Sequence, residues 1–123
     1  MKKLIAIVML GVLSPIVLAA QTSSTLAGKY IDTKSQAVVE IDPADTGYTI
    51  QQISSPIEKD QQKNGKVFAA IENTAATPMK GYVIDSSTGK HYPSTFEVSD
   101  GGATVTMKLK VSMIHITTTW KKQ

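Results

Sequence analysis

Residues 81–120 read GYVIDSSTGKHYPSTFEVSDGGATVTMKLKVSMIHITTTW, and this stretch decides the fold. Its apolar and polar residues alternate in runs that are separated by turn residues at 86–89 and 99–102. Alternation with a period of two is typical of half-buried β-strands, and short turns join antiparallel neighbours. The stretch therefore predicts four consecutive antiparallel strands, at 81–85, 91–98, 104–111 and 114–120.

Four more strands are predicted upstream of this meander. Short runs rich in β-branched and aromatic residues, separated by turn residues such as Asp42-Pro43 and Thr46-Gly47, indicate them. The segment 54–66 is polar and reads as a solvated connection, or as one that contains a helical turn around 57–62. The four predicted strands lie at 26–31, 37–41, 48–53 and 67–72.

The alternation also predicts which side chains face the core. In the strand 104–111, Val105, Met107, Leu109 and Val111 share one face, opposite Thr and Lys side chains. The fourth strand is ambiguous, because Phe68 opposes the other apolar residues of that strand. For the strands at 91–98 and 114–120, the inward sets are Tyr92, Ser94, Phe96 and Val98, and Ile114, Ile116, Thr118 and Trp120.

Eight short strands with one apolar face each can form a sandwich or a closed barrel. Short sequential connections favour an all-β, eight-stranded antiparallel up-and-down barrel of the lipocalin-like kind, because the first and last strands can then pair and remove both edges. We expect Tyr30 and Trp120 to face inward. Antiparallel pairing predicts Tyr30 near Ile114 or Ile116 and Leu26 near Trp120, so that the two aromatic side chains plug opposite ends.

The first twenty residues have the layout of a secretory signal peptide. Lys2 and Lys3 precede an apolar run at 4–18, which is short for a membrane span, and small residues follow at 19–20. Cleavage after Ala20 is expected, with Ala19 and an uncleaved anchor as alternatives. The domain prediction is a signal peptide at 1–20, a loose tail at 21–25 and a single soluble β-barrel domain at 26–121, located in the periplasm.

Charge and cysteine content exclude several classes of protein. The chain of 123 residues has 13 Lys and 10 acidic residues, but no Arg and no Cys. Loss of residues 1–20 would leave 103 residues with 11 Lys against 10 acids. A nearly neutral chain without guanidinium groups is not typical of nucleic-acid binding. Without Cys there is neither a disulfide nor a lipidated cysteine, so stability must come from core burial.

Three short motifs resemble a known family. They are Gly28-Lys29-Tyr30, the hairpin DSSTGKHY at 85–92 and the ending TTTWK at 117–121. Together they resemble an exported bacterial family, a domain of unknown function with a lipocalin-like barrel. Its members tend to have Gly-x-Trp, Asp-x-x-x-Gly-Lys-x-Tyr and Thr-x-Thr-Trp. The resemblance covers 81–121 best and implies fold and export. Tyr30 stands where the family has Trp, the family's central loop has no counterpart at 54–78, and no activity is implied.

The sequence offers no set of residues for catalysis or metal binding. His91 and His115 fall on the polar faces of strands that are not neighbours, and zinc needs three or four convergent ligands. The strained Gly-x-Ser-x-Gly turn of a hydrolase is missing. The loop 85–90 lacks the glycine spacing of a phosphate loop and reads as a hairpin turn, with Asp85 accepting hydrogen bonds from turn amides and Gly89 at positive φ. We expect no enzyme activity, no metal and no cofactor.

Two functions remain open from the sequence, and both are non-enzymatic. In the first, the barrel interior binds a small apolar molecule in the periplasm. In the second, the barrel is filled, and its outer face or the 54–66 segment contacts an envelope protein. An outer-membrane barrel is disfavoured, because spanning strands need about 9–11 residues. The candidate ligand-binding residues are the large side chains expected inside the barrel, Tyr30, Tyr48, Phe96, Met107 and Trp120. Alternatively, Tyr30 and Trp120 fill the ends of the core and bind no ligand.

The signal-peptide assignment predicts the form of the exported protein. Expressed from its own start codon in a Gram-negative host, the protein should appear in osmotic-shock fluid with an N-terminus near Gln21, because the peptidase cuts after small residues. Intact-mass measurement of the shock fluid and of the membrane pellet checks this. A pellet-bound species that retains Met1 would contradict it.

Overall fold

Each turn predicted from the sequence lies between two strands of one antiparallel sheet. The computed structural model describes residues 26–123, so the predicted signal peptide and the tail at 21–25 lie outside the described residues. The strands are β1 (Gly28–Asp32), β2 (Val38–Pro43), β3 (Tyr48–Ser54), β4 (Val67–Asn73), β5 (Met79–Ile84), β6 (His91–Ser99), β7 (Thr104–Val111) and β8 (Ile114–Lys122).

The strand order is sequential and the sheet closes. Every strand pairs antiparallel with the next one, and β1 pairs with β8. The prediction of an eight-stranded antiparallel barrel is confirmed, and the sandwich alternative is wrong. Closure satisfies the backbone groups of β1 and the end of β8, which would otherwise form open edges.

The up-and-down order gives the barrel two distinct ends. We call the first the terminal end; it carries Leu26, Gln123 and the connections 44–47, 74–78 and 100–103. We call the other the hairpin end; it carries the connections 33–37, 55–66, 85–90 and 112–113. The two ends are built differently, and the candidate site depends on this difference.

The register of the β1–β8 seam differs from the prediction. Tyr30 lies opposite Lys122 and Asp32 lies opposite Trp120. The placement of Tyr30 near Ile114 or Ile116 was wrong, and so was the expectation that Tyr30 and Trp120 plug opposite ends. Strands of a barrel are tilted, and the register shifts steadily around it. As a result β1 meets only the last part of β8, and the two aromatic residues occupy neighbouring positions of the seam.

Inward alternation does not guarantee burial. In β7, Val105, Met107 and Leu109 are buried as predicted. In β8 only Trp120 of the apolar inward set is buried, whereas Ile114 is 64% exposed and Ile116 is 42% exposed. These two residues precede the part of β8 that β1 covers. Val98, near the end of β6, is also exposed, at 42%.

Bulges explain why the faces of β4 could not be assigned. The register shifts between Ile50 and Gln51 on the β3 side and between Ile71 and Asn73 on the β4 strand itself. A bulge adds a residue to one strand and breaks the strict alternation. At the first shift the extra residue is Phe68, which packs against the core although its neighbour Ala69 is buried there too. The connection that precedes β4 contains a 3₁₀ helix, Glu58–Lys63, near the predicted helical turn.

The burial pattern of β7 predicts a large contrast between adjacent positions. Leu109→Ala removes most of a side chain that is 8% exposed, so we expect unfolding to become easier by about 2–5 kcal/mol. Lys110→Ala changes an exposed side chain and should stay within about 0.5 kcal/mol. Lys110 is a better control than Lys108, whose Nζ lies 3.7 Å from Glu97 Oε1. Urea unfolding measures both variants, and equal effects would contradict the register.

Candidate functional site: the barrel interior and its two ends

The five predicted ligand-binding residues all lie in the barrel interior. Tyr30, Tyr48, Phe96, Met107 and Trp120 are each no more than 5% exposed and belong to one apolar cluster. Aliphatic side chains of β2, β3, β4 and β7 fill the space between them, with Ile41, Ile50, Ile71 and Val105 at 0–1% exposure. The protein's own side chains therefore occupy much of the interior, which was one of the two places that the sequence left open for a contact.

Tyr30 forms hydrogen bonds with two backbone segments at the terminal end. Its hydroxyl oxygen lies 2.8 Å from the carbonyl oxygen of Leu26 and 2.9 Å from that of Gly102, so its proton can be donated to either. The Gly102 carbonyl reaches the interior because Asp100, Gly101 and Gly102 all have positive φ, which glycine adopts without strain. The hydroxyl thus joins the segment before β1 to the connection before β7.

Two further features concern Tyr30: a lysine close to its ring and the raised pKa of its phenol. The ammonium group of Lys122 lies 5.8 Å from the centre of the tyrosine ring, within cation–π range. Burial raises the pKa of the Tyr30 phenol, and the charge of nearby Tyr48 raises it further. Below pH 10 the neutral phenol is the form that the fold accommodates. The terminal end is thus sealed by an aromatic ring, two carbonyls and a lysine.

The hairpin end is lined by apolar side chains that are only partly buried. Phe68, Val83, Tyr92 and Val111 pack against the core from this side without being enclosed. The ring centroids of Phe68 and Trp120 are 6.1 Å apart in an edge-to-face arrangement, so Phe68 connects this layer to the deep core.

Exposed large apolar side chains are concentrated at the same end. Among residues 26–123 there are six of them, and only Val98 lies toward the terminal end. We call the other five the apolar rim; they belong to the β3–β4 connection with the start of β4, and to the β7–β8 hairpin. They are Ile57, Val67, Met113, Ile114 and Ile116, and Met113 is 85% exposed.

Gln52 is a structural residue that the sequence reasoning missed. It is 8% exposed, and its amide nitrogen donates to the Asp60 carbonyl and to Asn64 Oδ1, both at 2.9 Å. The Gly65 amide donates back to the Gln52 carbonyl at 2.7 Å. These bonds hold the β3–β4 connection, including the Glu58–Lys63 helix, against the barrel. The signal was present, because Gln52 continues the inward alternation of Tyr48 and Ile50.

Two hollows lie on the outer surface. The larger, about 450 Å³, crosses β5 to β8 and is bordered by Lys80, Lys108, Lys110 and His115. The smaller, about 350 Å³, lies at the β2–β3 turn. Of the five predicted ligand-binding residues, only Tyr48 borders either hollow.

The titratable groups singled out in the sequence serve local structure. His91 is exposed and stacks on Tyr82, with ring centroids 4.1 Å apart. Asp85 accepts hydrogen bonds from the hydroxyl and the amide of Ser87, at 2.7 and 2.8 Å, and these lower the pKa of its carboxyl group. Gly89 has a φ of 77°, as the hairpin prediction required. Within residues 26–123 no group of three His, Asp or Glu could hold a metal ion.

Comparisons with known proteins do not identify a family for this chain. No protein-family model, no curated protein and no solved structure matches the chain. In the part of the chain from 26 to 123, no helix is long and apolar enough to cross a membrane.

The hydroxyl of Tyr30 predicts both a stability loss and a change in pH dependence. Tyr30→Phe leaves two buried carbonyls without their donor, so we expect a loss of about 1–3 kcal/mol at pH 7. Because the folded pKa of Tyr30 is raised above 10, its contribution is complete below pH 10 and disappears as the pH rises toward the folded value. The variant should therefore lose less stability than the parent between neutral pH and the region above pH 10.

Tyr82→Phe is the matched control, because Tyr82 lies on the outer face and its variant also removes one phenolic hydroxyl. It should change stability by no more than about 0.5 kcal/mol and keep the parent's alkaline profile. Denaturant unfolding at several pH values measures all three proteins. Identical profiles for Tyr30→Phe and the parent would contradict the role given to Tyr30.

Proposed function

We propose that this protein is an exported, non-enzymatic β-barrel that acts in the periplasm as an interaction module, with a filled barrel and an apolar rim that contacts an envelope protein. The observation that carries this proposal is the distribution of exposed apolar side chains. Five of the six large ones in residues 26–123 make up the apolar rim at the hairpin end, two at the β3–β4 connection with the start of β4 and three in the β7–β8 hairpin. Exposed apolar groups that cluster, as the three of the β7–β8 hairpin do, are typical of protein-interaction surfaces.

The filled interior supports this proposal over a ligand carrier. A cavity for a small apolar molecule needs roughly 300 Å³ or more, whereas the inward residues of β2 to β4 and β7 are packed against each other. Two buried polar side chains that face inward already have partners: Ser94 donates to the Tyr92 carbonyl at 3.0 Å, and Gln52 is bound by the β3–β4 connection. Neither side chain is left to orient a ligand.

A small apolar ligand remains the second candidate because of the partly buried layer at the hairpin end. Phe68, Val83, Tyr92 and Val111 have apolar surface that a molecule could cover. Such a ligand would lie in the mouth of the barrel rather than among the five interior residues predicted from sequence. Phe68 and Tyr92 would then be the residues that contact it.

Site-specific photo-cross-linking in intact cells tests the primary proposal. A photoreactive residue at Val67 should give a discrete adduct with one envelope protein, larger than two copies of this chain. The same residue at Val98 is the matched control, since Val67 and Val98 are 46% and 42% exposed and lie toward opposite ends. Equal adduct patterns from the two positions would contradict a specific rim.

Native mass spectrometry of protein taken from the periplasm separates the two candidates. An interaction module with a filled barrel should have the mass of the polypeptide alone. A co-purifying small molecule that is lost in both Phe68→Ala and Tyr92→Ala would favour the ligand carrier. For both variants, melting curves show whether the barrel is still folded, because removing partly buried aromatic side chains also lowers stability.

A further inference from the structure

The last strand extends beyond the strand that closes the barrel against it. β8 has nine residues, but it pairs with β1 only through Trp120, Lys121 and Lys122. On its other side β8 pairs with β7 from Ile114 onward. In the described chain, residues 114–118 are thus paired on one side only. We call them the free segment of β8.

Two observations show which backbone N–H and C=O groups of the free segment point away from β7. Ser112 and Met113 form a two-residue turn, which makes Val111 and Ile114 the hydrogen-bonded pair that closes the hairpin. Alternation then directs the N–H and C=O groups of His115 and Thr117 away from β7. At the far end of the segment, the Thr33 amide donates to the Thr119 carbonyl at 3.0 Å, which continues the same alternation. Four backbone groups therefore project from this edge.

The free segment has none of the usual protection of an edge strand. Its sequence, Ile114-His115-Ile116-Thr117-Thr118, contains no Lys, Asp, Glu or Pro. Native proteins place such residues on edges to prevent pairing with other chains. Instead, Ile114 and Ile116 are 64% and 42% exposed.

We infer that a second copy of this chain pairs with the free segment, antiparallel and about a two-fold axis at Ile116. In this register His115 lies opposite Thr117 of the second copy, so both exchange their free N–H and C=O groups. Ile116 lies opposite its own copy, and Ile114 lies opposite Thr118. This pairing is symmetric about Ile116 and includes residues 114–118 of both copies. It stops at Thr119, because the Thr119 carbonyl already accepts a hydrogen bond from the Thr33 amide.

A second copy fits this edge because antiparallel pairing is self-complementary and charge does not oppose it. The lysines that pair with residues of the free segment, Lys108 and Lys110, are on β7. In the joined sheet the two β7 strands would be three strand spacings apart, about 14 Å, which exceeds the Debye length of about 8–10 Å. The inference goes beyond the proposed function, because pairing between copies requires no envelope protein.

Cysteine cross-linking tests the register directly, since the chain has no cysteine of its own. Directly opposed residues have Cβ atoms about 4.5–5.5 Å apart, near disulfide distance. Ile116→Cys should therefore oxidise rapidly to a disulfide dimer. Ile114→Cys should stay largely reduced, because the two copies of residue 114 would be four residues out of register, about 14 Å apart. Val98→Cys, with the same exposure as Ile116, gives the rate of random collision.

Sedimentation of the purified protein is the second measurement. The parent should show a concentration-dependent dimer, whereas Thr117→Pro should be monomeric and should melt at the temperature of the parent at a dilution where the parent is monomeric, because the N–H that it removes points away from β7. Thr117→Val keeps that N–H and should still dimerise. A monomeric parent, or equal oxidation rates at residues 114, 116 and 98, would overturn the inference. A parent that is monomeric alone but occupied at this edge by another protein would overturn it too, while leaving the proposed function intact.

Discussion

The structure depends on the short seam between β1 and β8. Three residue pairs close the barrel there, from Tyr30 to Asp32 on one strand and from Trp120 to Lys122 on the other. Tyr30 stabilises this seam from inside, since its hydroxyl lies between the Leu26 and Gly102 carbonyls while its ring is fully buried. Without the seam, β1 and β8 would each present an open edge, and the aromatic core behind them would be exposed to water.

A seam this short can seal only one end. β1 spans five residues and β8 spans nine, so the register that places Tyr30 beside Lys122 leaves the start of β8 uncovered. The terminal end is enclosed as a result, whereas Phe68, Tyr92 and the residues of the β7–β8 hairpin keep apolar surface at the other end. The exposure of Ile114 and Ile116 and the free segment of β8 are thus two consequences of the same mismatch in strand length.

Local sequence patterns predicted the strands, whereas the register of the seam and the burial of side chains near it depend on non-local geometry. Alternation identified the inward face of β7, and turn residues located two of the three connections of the meander, 85–90 and 100–103, because both signals lie within a few residues. The seam register depends on the accumulated shift across eight strands, which no short pattern contains. Ile116 shows the limit best: its alternation is inward, but its burial depends on how far β1 extends. The five proposed ligand-binding residues are interior as predicted, while their binding role stays a prediction.

Filling the interior is also a requirement of stability for a chain of this composition. The chain has no cysteine, so its domain of about a hundred residues has no disulfide to restrict the unfolded state. Its folded state therefore depends on the burial of Tyr30, Phe96, Trp120 and the aliphatic side chains between them. Emptying even one large interior position would cost about 2–5 kcal/mol, a large part of the roughly 5–15 kcal/mol that stabilises a typical domain. The contacts proposed for this protein lie at the hairpin end and the β8 edge, where apolar side chains and backbone groups are available without opening the core.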